Sequence, residues 1–312
     1  MKLCYHKNVF RTIFLLLETT VILLFFSCSG DPVIKDHKVK TLVSDFAGNG
    51  AVSIDRRNGV IYVSEYGQFV DTGGSGTRIF KLSSKGRILD TIRGLSGPMG
   101  TAVDSKGNLY VNNANNTING QVLKIAPNGD RTVLATIDGW PTGMAIDHKD
   151  NLYISNYAAP TVHKITPDGQ VSVYANDARL TGCIGIDLDH KGNVIISNFA
   201  TADIFSINNN GEVSLIANIP DIVVQGFGLG YLSVVNDKIY TTGIAINYVY
   251  KVTMDGVVEI FAGNGEAIQI DGPLLDASFR NPNGITANKF ARTLYISEYT
   301  GVGGVRKIKL WR

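Results

Sequence analysis

The chain has 312 residues, with 29 Lys and Arg against 27 Asp and Glu, and 34 Gly. Glycine exceeds its ordinary share of about 7%, charge at 18% falls below the ordinary ~25%, and 44% hydrophobic content suffices for a sizeable core. Past residue 27 the basic and acidic counts are 26 each. That balance argues against nucleic acid as the main partner and against electrostatic docking on anionic lipid.

The N-terminus reads as an export signal. Lys2, Lys7 and Arg11 precede an apolar run over 13–26, interrupted at Glu18, Thr19 and Thr20. The run is shorter than the ~20 apolar residues of a membrane-spanning helix. A charged start, an apolar middle and a small residue at the end describe a secretory signal. Residues 25–30 (FFSCSG) resemble the lipobox of bacterial lipoproteins, with Phe25 where Leu is usual. The resemblance implies a signal peptide over 1–27, a lipidated Cys28, and a polar tether over 28–38. It implies a lipid-anchored protein of the bacterial cell envelope whose folded domain lies outside the cytoplasm. Membrane contact is expected through the anchor alone. Ser29, where Asp would signal inner-membrane retention in enteric bacteria, points to the outer membrane. Cys183 is then the sole thiol of the folded region; its apolar surroundings predict a buried small hydrophobe.

Six copies of one pattern follow. The pattern is a strand closing near Asp, a tight turn, an apolar second strand, a third strand carrying Lys (Ser206 in the fourth copy), and a Gly turn. The second strands are 60–65 (VIYVSE), 109–113 (LYVNN), 152–156 (LYISN), 194–198 (VIISN), 239–243 (IYTTG) and 294–298 (LYISE). Steps of 48, 43, 42, 45 and 55 residues separate their aligned second or third positions. A period of about 40–50 with short strands predicts a six-bladed β-propeller over 39–312. The first strands are expected at 52–55, 101–104, 144–147, 184–187, 231–235 and 285–287, with each closing Asp bonding the backbone two residues on. The sixth copy ends without a fourth strand, and 39–46 is a strand without a copy of its own. This N-terminal strand is therefore expected to complete the last blade and remove an open edge.

Residues 261–285 contain AGNG, DG, ASF and PNGI, followed by LYISE, and 46–50 (FAGNG) echoes their start. This stretch resembles the NHL-repeat propellers, whose functions include protein binding, RNA binding and lactone hydrolysis. The enzymatic relatives of the gluconolactonase (SMP-30-like) type hold a divalent cation such as calcium at the channel mouth. That resemblance places the ligand positions at Gly50, Met99, Thr142, Ile184, Gln225 and Asn283. Only Asn283 and Gln225 carry suitable oxygens, whereas calcium takes six to eight. No cofactor is therefore expected, with Asn283, Glu65 and Glu298 as the metal candidates.

The residue ending or following each second strand should form a ring: Glu65, Asn113, Asn156, Asn198, Gly243 and Glu298. Tyr66, Tyr157, Phe199 and Tyr299 come next in four copies. Such a face suits a small polar molecule, a glycan or a partner protein. The ligand-binding candidates are Glu65, Tyr66, Asn113, Asn156, Asn198, Glu298 and Tyr299. Capping of strand ends is the alternative role for the polar members. The longest loops, 66–77, 219–230 and 263–284, open on the same face. Catalytic residues are not identified. His148 and His190 lie in turns of the opposite face, His163 lies in a third strand, and His37 lies in the tether. The expectation is a binding or scaffold propeller, with a metal-dependent lactone or ester hydrolase as the alternative.

Overall fold

The computed structural model describes residues 37–310 except 71–72, 114–118, 289, 291 and 300–302. Cys28, the signal and most of the tether lie outside the described residues. The chain forms a six-bladed β-propeller of antiparallel sheets. Blade 1 runs from Val52–Ile54 through Ile61–Ser64 and Ile79–Leu82 to Ile88–Ile92. The inner strands of blades 2 to 6 are Thr101–Val103, Pro141–Ile146, Cys183–Leu188, Leu229–Val235 and Pro282–Asn288.

Second strands such as Leu152–Asn156 and Val194–Asn198 are buried at every residue, because neighbouring blades cover both of their faces. Outer strands such as Ile88–Ile92 are largely exposed. Tyr and Lys recur together because they pair across strands, with Tyr110 opposite Lys124 and Tyr153 opposite Lys164. The two ammonium groups lie 5.9 and 5.5 Å from the ring centres, within cation–π reach.

The lower turns use the expected aspartates. Asp104 accepts from the Lys106 and Asn108 backbone N–H groups at 2.9 and 2.8 Å, and from the Asn108 amide at 2.6 Å. Asp147 does the same with Lys149 and Asn151. In blade 4 the turn belongs instead to Asp189, which accepts from Lys191 and Asn193. The strand there runs on to Leu188, and Asp187 turns sideways to accept from Val234 N–H of blade 5 at 2.7 Å.

One small polar side chain per blade ties the ring together. Ser64, Ser155, Ser197, Thr242 and Ser297 donate their hydroxyls, and Asn112 its amide, to backbone carbonyls of the next blade. The acceptors are Met99, Thr142, Ile184, Gly230, Asn283 and Gly50, so the last bond closes the circle from blade 6 to blade 1. All six donors are fully buried. The approach needs glycine beside it: a Cβ on Gly143 would collide with the Ile184 carbonyl oxygen.

Ring closure follows the sequence reading. Lys38–Val43 pairs antiparallel with Val305–Lys309, setting Val39 opposite Ile308 and Thr41 opposite Arg306. Val39 is fully buried, and Phe46 packs in the cluster of Val52, Phe80 and Tyr295, where blades 1 and 6 meet. Gly272–Pro273 from the 263–284 loop pairs on the outer side of Lys38–Val43 and makes blade 6 five-stranded.

Candidate functional site

At the loop-rich end, the axial channel opens into a cavity of about 310 Å³. Its lining has three sources. Gly50 and Met99, just before their inner strands, and Thr142, Ile184 and Asn283, near the start of theirs, form the lower wall. Tyr66, Tyr157, Phe199, Ile244 and Tyr299, which follow the second strands, form the upper wall. Phe69, Trp140 and Phe227 come from loops, and Tyr231 from the inner strand of blade 5.

The rings form a nearly continuous collar. Centroid separations run from Phe69 to Trp140 (6.3 Å), to Tyr157 (5.3 Å), to Phe199 (6.0 Å) and to Phe227 (5.5 Å). They continue to Tyr299 (6.1 Å) and Tyr66 (5.9 Å). The middle contacts are edge-to-face, with interplanar angles of 72°, 72° and 67°, the packing that the aromatic quadrupole favours. Among the described residues no charged side chain lines the cavity. Burial holds the Tyr66 and Tyr299 phenols above their ordinary pKa, so both remain neutral donors. Among the described residues the buried indole N–H of Trp140 has no hydrogen-bond partner.

The expected polar ring has a different fate. Glu65 binds Arg78 of its own blade through two oxygens, at 2.6 and 2.8 Å. That guanidinium holds its carboxyl below the usual range. Glu298 is fully buried and accepts from Arg306 Nη1 at 3.1 Å, from Arg280 N–H at 3.0 Å, and from the Gln269 amide. Thus each carboxylate has its own arginine, and among the described residues no group is shared by the two. Asn113 accepts from Ser96 N–H at 2.8 Å. Asn156 accepts from Trp140, Ala158 and Ala159 N–H and donates to the Asp138 carbonyl. Asn198 accepts from Ala200 and Thr201 N–H and donates to Arg179 and Thr181 carbonyls. None of these five lines the cavity; of the seven ligand-binding candidates, Tyr66 and Tyr299 do.

The channel-mouth positions do not fit a hard cation. Five are Gly50, Met99, Thr142, Ile184 and Asn283, and the sixth is Gly230 rather than Gln225, because Gly230 receives the blade-4 hydroxyl. Gln225 is displaced by a tight turn in which Val224 and Phe227 exchange backbone hydrogen bonds. Asn283 is the one side-chain amide left, and it donates to the Asn49 carbonyl at 2.9 Å. Among the described residues no group of three His, Cys, Asp or Glu is placed to hold a metal. Calcium's oxygen-rich shell has no counterpart at this mouth, and no step is derived through such an ion.

The histidines sit elsewhere. His190 bonds Asp237 at 2.5 Å on the opposite face, and burial lowers the pKa of His163 in its third strand. Cys183 is fully buried, which raises its thiol pKa well above the ordinary value. Sequence reasoning missed Phe69, Trp140, Phe227 and Tyr231. Phe227 stands between Gly226 and Gly228 and Trp140 between Gly139 and Pro141, where a large ring has no place in a strand pattern. That misfit was the available signal.

No protein-family model matches the chain, and no curated protein matches it. Solved structures do. An auxiliary nutrient binding protein from Bacteroides thetaiotaomicron is 16% identical over 88% of this chain and 76% of that one, with a TM-score of 0.70. A gluconolactonase-like propeller is 14% identical, covering 88% and 92%, with a TM-score of 0.64. A catalytically inactive His-to-Ala form of virginiamycin B lyase from Staphylococcus aureus, with quinupristin, is 15% identical, covering 85% and 82%, with a TM-score of 0.59. At such identities the likeness shows the six-bladed fold.

Proposed function

We propose that this chain is a binding propeller of the cell envelope that takes an uncharged, ring-bearing small molecule into the aromatic cavity. One observation carries the reading: seven aromatic side chains in sequence around a mouth of about 310 Å³ that, among the described residues, no charged group lines. The volume lies at the small end of ligand pockets, which run about 300–1,000 Å³. The lining moves the ligand class from polar toward flat and apolar. A glycan needs hydrogen-bond partners for its hydroxyls, and the amides and carboxylates beside this mouth already have partners. The nutrient-binding description of one structural neighbour agrees with a binding role.

The test is a thermal-shift screen of the mature protein against ring-bearing neutrals such as indole and 1-naphthol, against glycans and lactones, and against divalent ions. A compound that binds the native state alone raises the midpoint. Ring-bearing compounds should do so, and Tyr157→Ala should abolish the shift. A shift with glycans or calcium and none with ring compounds would sink the reading. The envelope location rests on Cys28. Cys28→Ser should block processing or move the protein from the membrane to the soluble exported fraction. Undiminished membrane attachment in that variant would remove the anchor from the proposal.

A further inference from the structure

Below the aromatic cavity the same axis holds a second, smaller one of about 80 Å³. Its walls are more polar and include Ser53 and Thr101, whose hydroxyls are 2.6 Å apart, together with Ser233. Among the described residues one lines both cavities: Tyr231.

Its place in the repeat is anomalous. Strand register sets Ile285 opposite Ile296, Met144 opposite Ile154, Ile186 opposite Ile196 and Leu232 opposite Thr241. The residue just before each of these is Gly284, Gly143, Gly185 and Tyr231. Blades 1 and 2 have Ala51 and Gly100 there. A tyrosine thus stands where five blades carry the two smallest residues. It is buried in a cluster that also holds Ala51 of blade 1, Ile184 of blade 4 and Ile285 of blade 6, and because it lines both cavities, this blade-5 side chain stands between them.

We propose that Tyr231 is the specificity-determining floor of the cavity. It divides the channel into an apolar upper and a polar lower compartment, and so limits how long a ligand may enter end-on. The inference rests on the aromatic cavity being the ligand site and adds a length limit to it. Five blades with Gly or Ala would leave the axis open; the single tyrosine closes it without disturbing the inter-blade bonds, since Gly230 beside it still accepts from Ser197 at 2.9 Å.

The probe is a series of 4-n-alkylphenols from ethyl to nonyl, titrated against the mature protein carrying Trp311→Phe. The chain has two tryptophans, so Trp140 then reports occupancy of the collar by its own fluorescence. Affinity should rise about three- to fourfold per methylene and then stop at the length that reaches Tyr231. In Tyr231→Ala, which restores the residue size of the other blades, the rise should continue for at least two further methylenes. Tyr231→Leu should move the limit by a smaller step and supplies the measurement if the alanine variant does not fold. Melting curves identify folded variants. An unchanged length limit in a folded variant overturns the floor while leaving the cavity as the ligand site. Absence of any alkylphenol binding to the parent protein overturns the cavity reading, and the floor with it.

Discussion

The polar residues beside the channel mouth and the aromatic residues at it come from adjacent positions of the same repeat, yet they differ in what they have left to offer. Asn156 and Asn198 each make four hydrogen bonds to backbone groups around them. Tyr157 and Phe199, one residue on, touch other rings and the open cavity. The polar residues that recur from blade to blade answer needs that recur with them: capping a strand, tying two blades, closing a turn. Trp140, Phe227 and Tyr231 have no equivalents in the other copies, and they shape the cavity.

The largest test of that contrast is Arg306→Met. The guanidinium is fully buried and holds Glu298, Asp271 and the carbonyls of Ile270 and Ser278. Removing it strands a buried carboxylate and should cost about 3–5 kcal/mol in urea unfolding. Arg78→Met, which frees the more accessible Glu65, should cost about 1 kcal/mol or less. Equal losses would show that burial does not separate the two pairs. Asp104→Ala should cost about 1–3 kcal/mol, because it leaves the Lys106 and Asn108 N–H groups without their acceptor. It should leave alkylphenol affinity unchanged, being on the opposite face; a weakened affinity would couple the repeated turns to the site. The smallest effect concerns pH. Arg78 depresses the Glu65 pKa in the folded state, so its contribution is complete above the ordinary carboxylate pKa. That contribution is lost as pH falls through the depressed value. Glu65→Gln should flatten this part of the acid limb, and an identical acid limb in both proteins would contradict the assignment.

The propeller, its blade count and its closing strand were legible because each follows from period and alternation, which sequence displays directly. The aromatics after the second strands were legible for the same reason: Tyr66, Tyr157, Phe199 and Tyr299 repeat at a fixed offset and all line the cavity. The polar ring was legible as a pattern but not as a role. Whether Glu65 faces a ligand or Arg78 depends on a partner 13 residues away, whose direction only the folded blade determines. The sixth mouth position was misplaced because the turn at Val224 and Phe227 takes up residues that spacing alone assigns to the strand. Tyr231 escaped notice although its five equivalents are Gly or Ala, because alignment on the second strands does not bring the bulged inner positions into register.

The outer pairing of Gly272–Pro273 on Lys38–Val43 bears on mechanical load. The closing strand has hydrogen-bonded neighbours on both sides, and Thr41 is held by Asp271 through its N–H at 2.8 Å and its hydroxyl at 2.7 Å. A pull applied through the residues before Lys38 and directed along the strand axis loads these contacts in shear, so they resist together. The same pull directed across the sheet would unzip them one at a time. Rupture force in single-molecule stretching should therefore depend on where the second handle is placed on the domain.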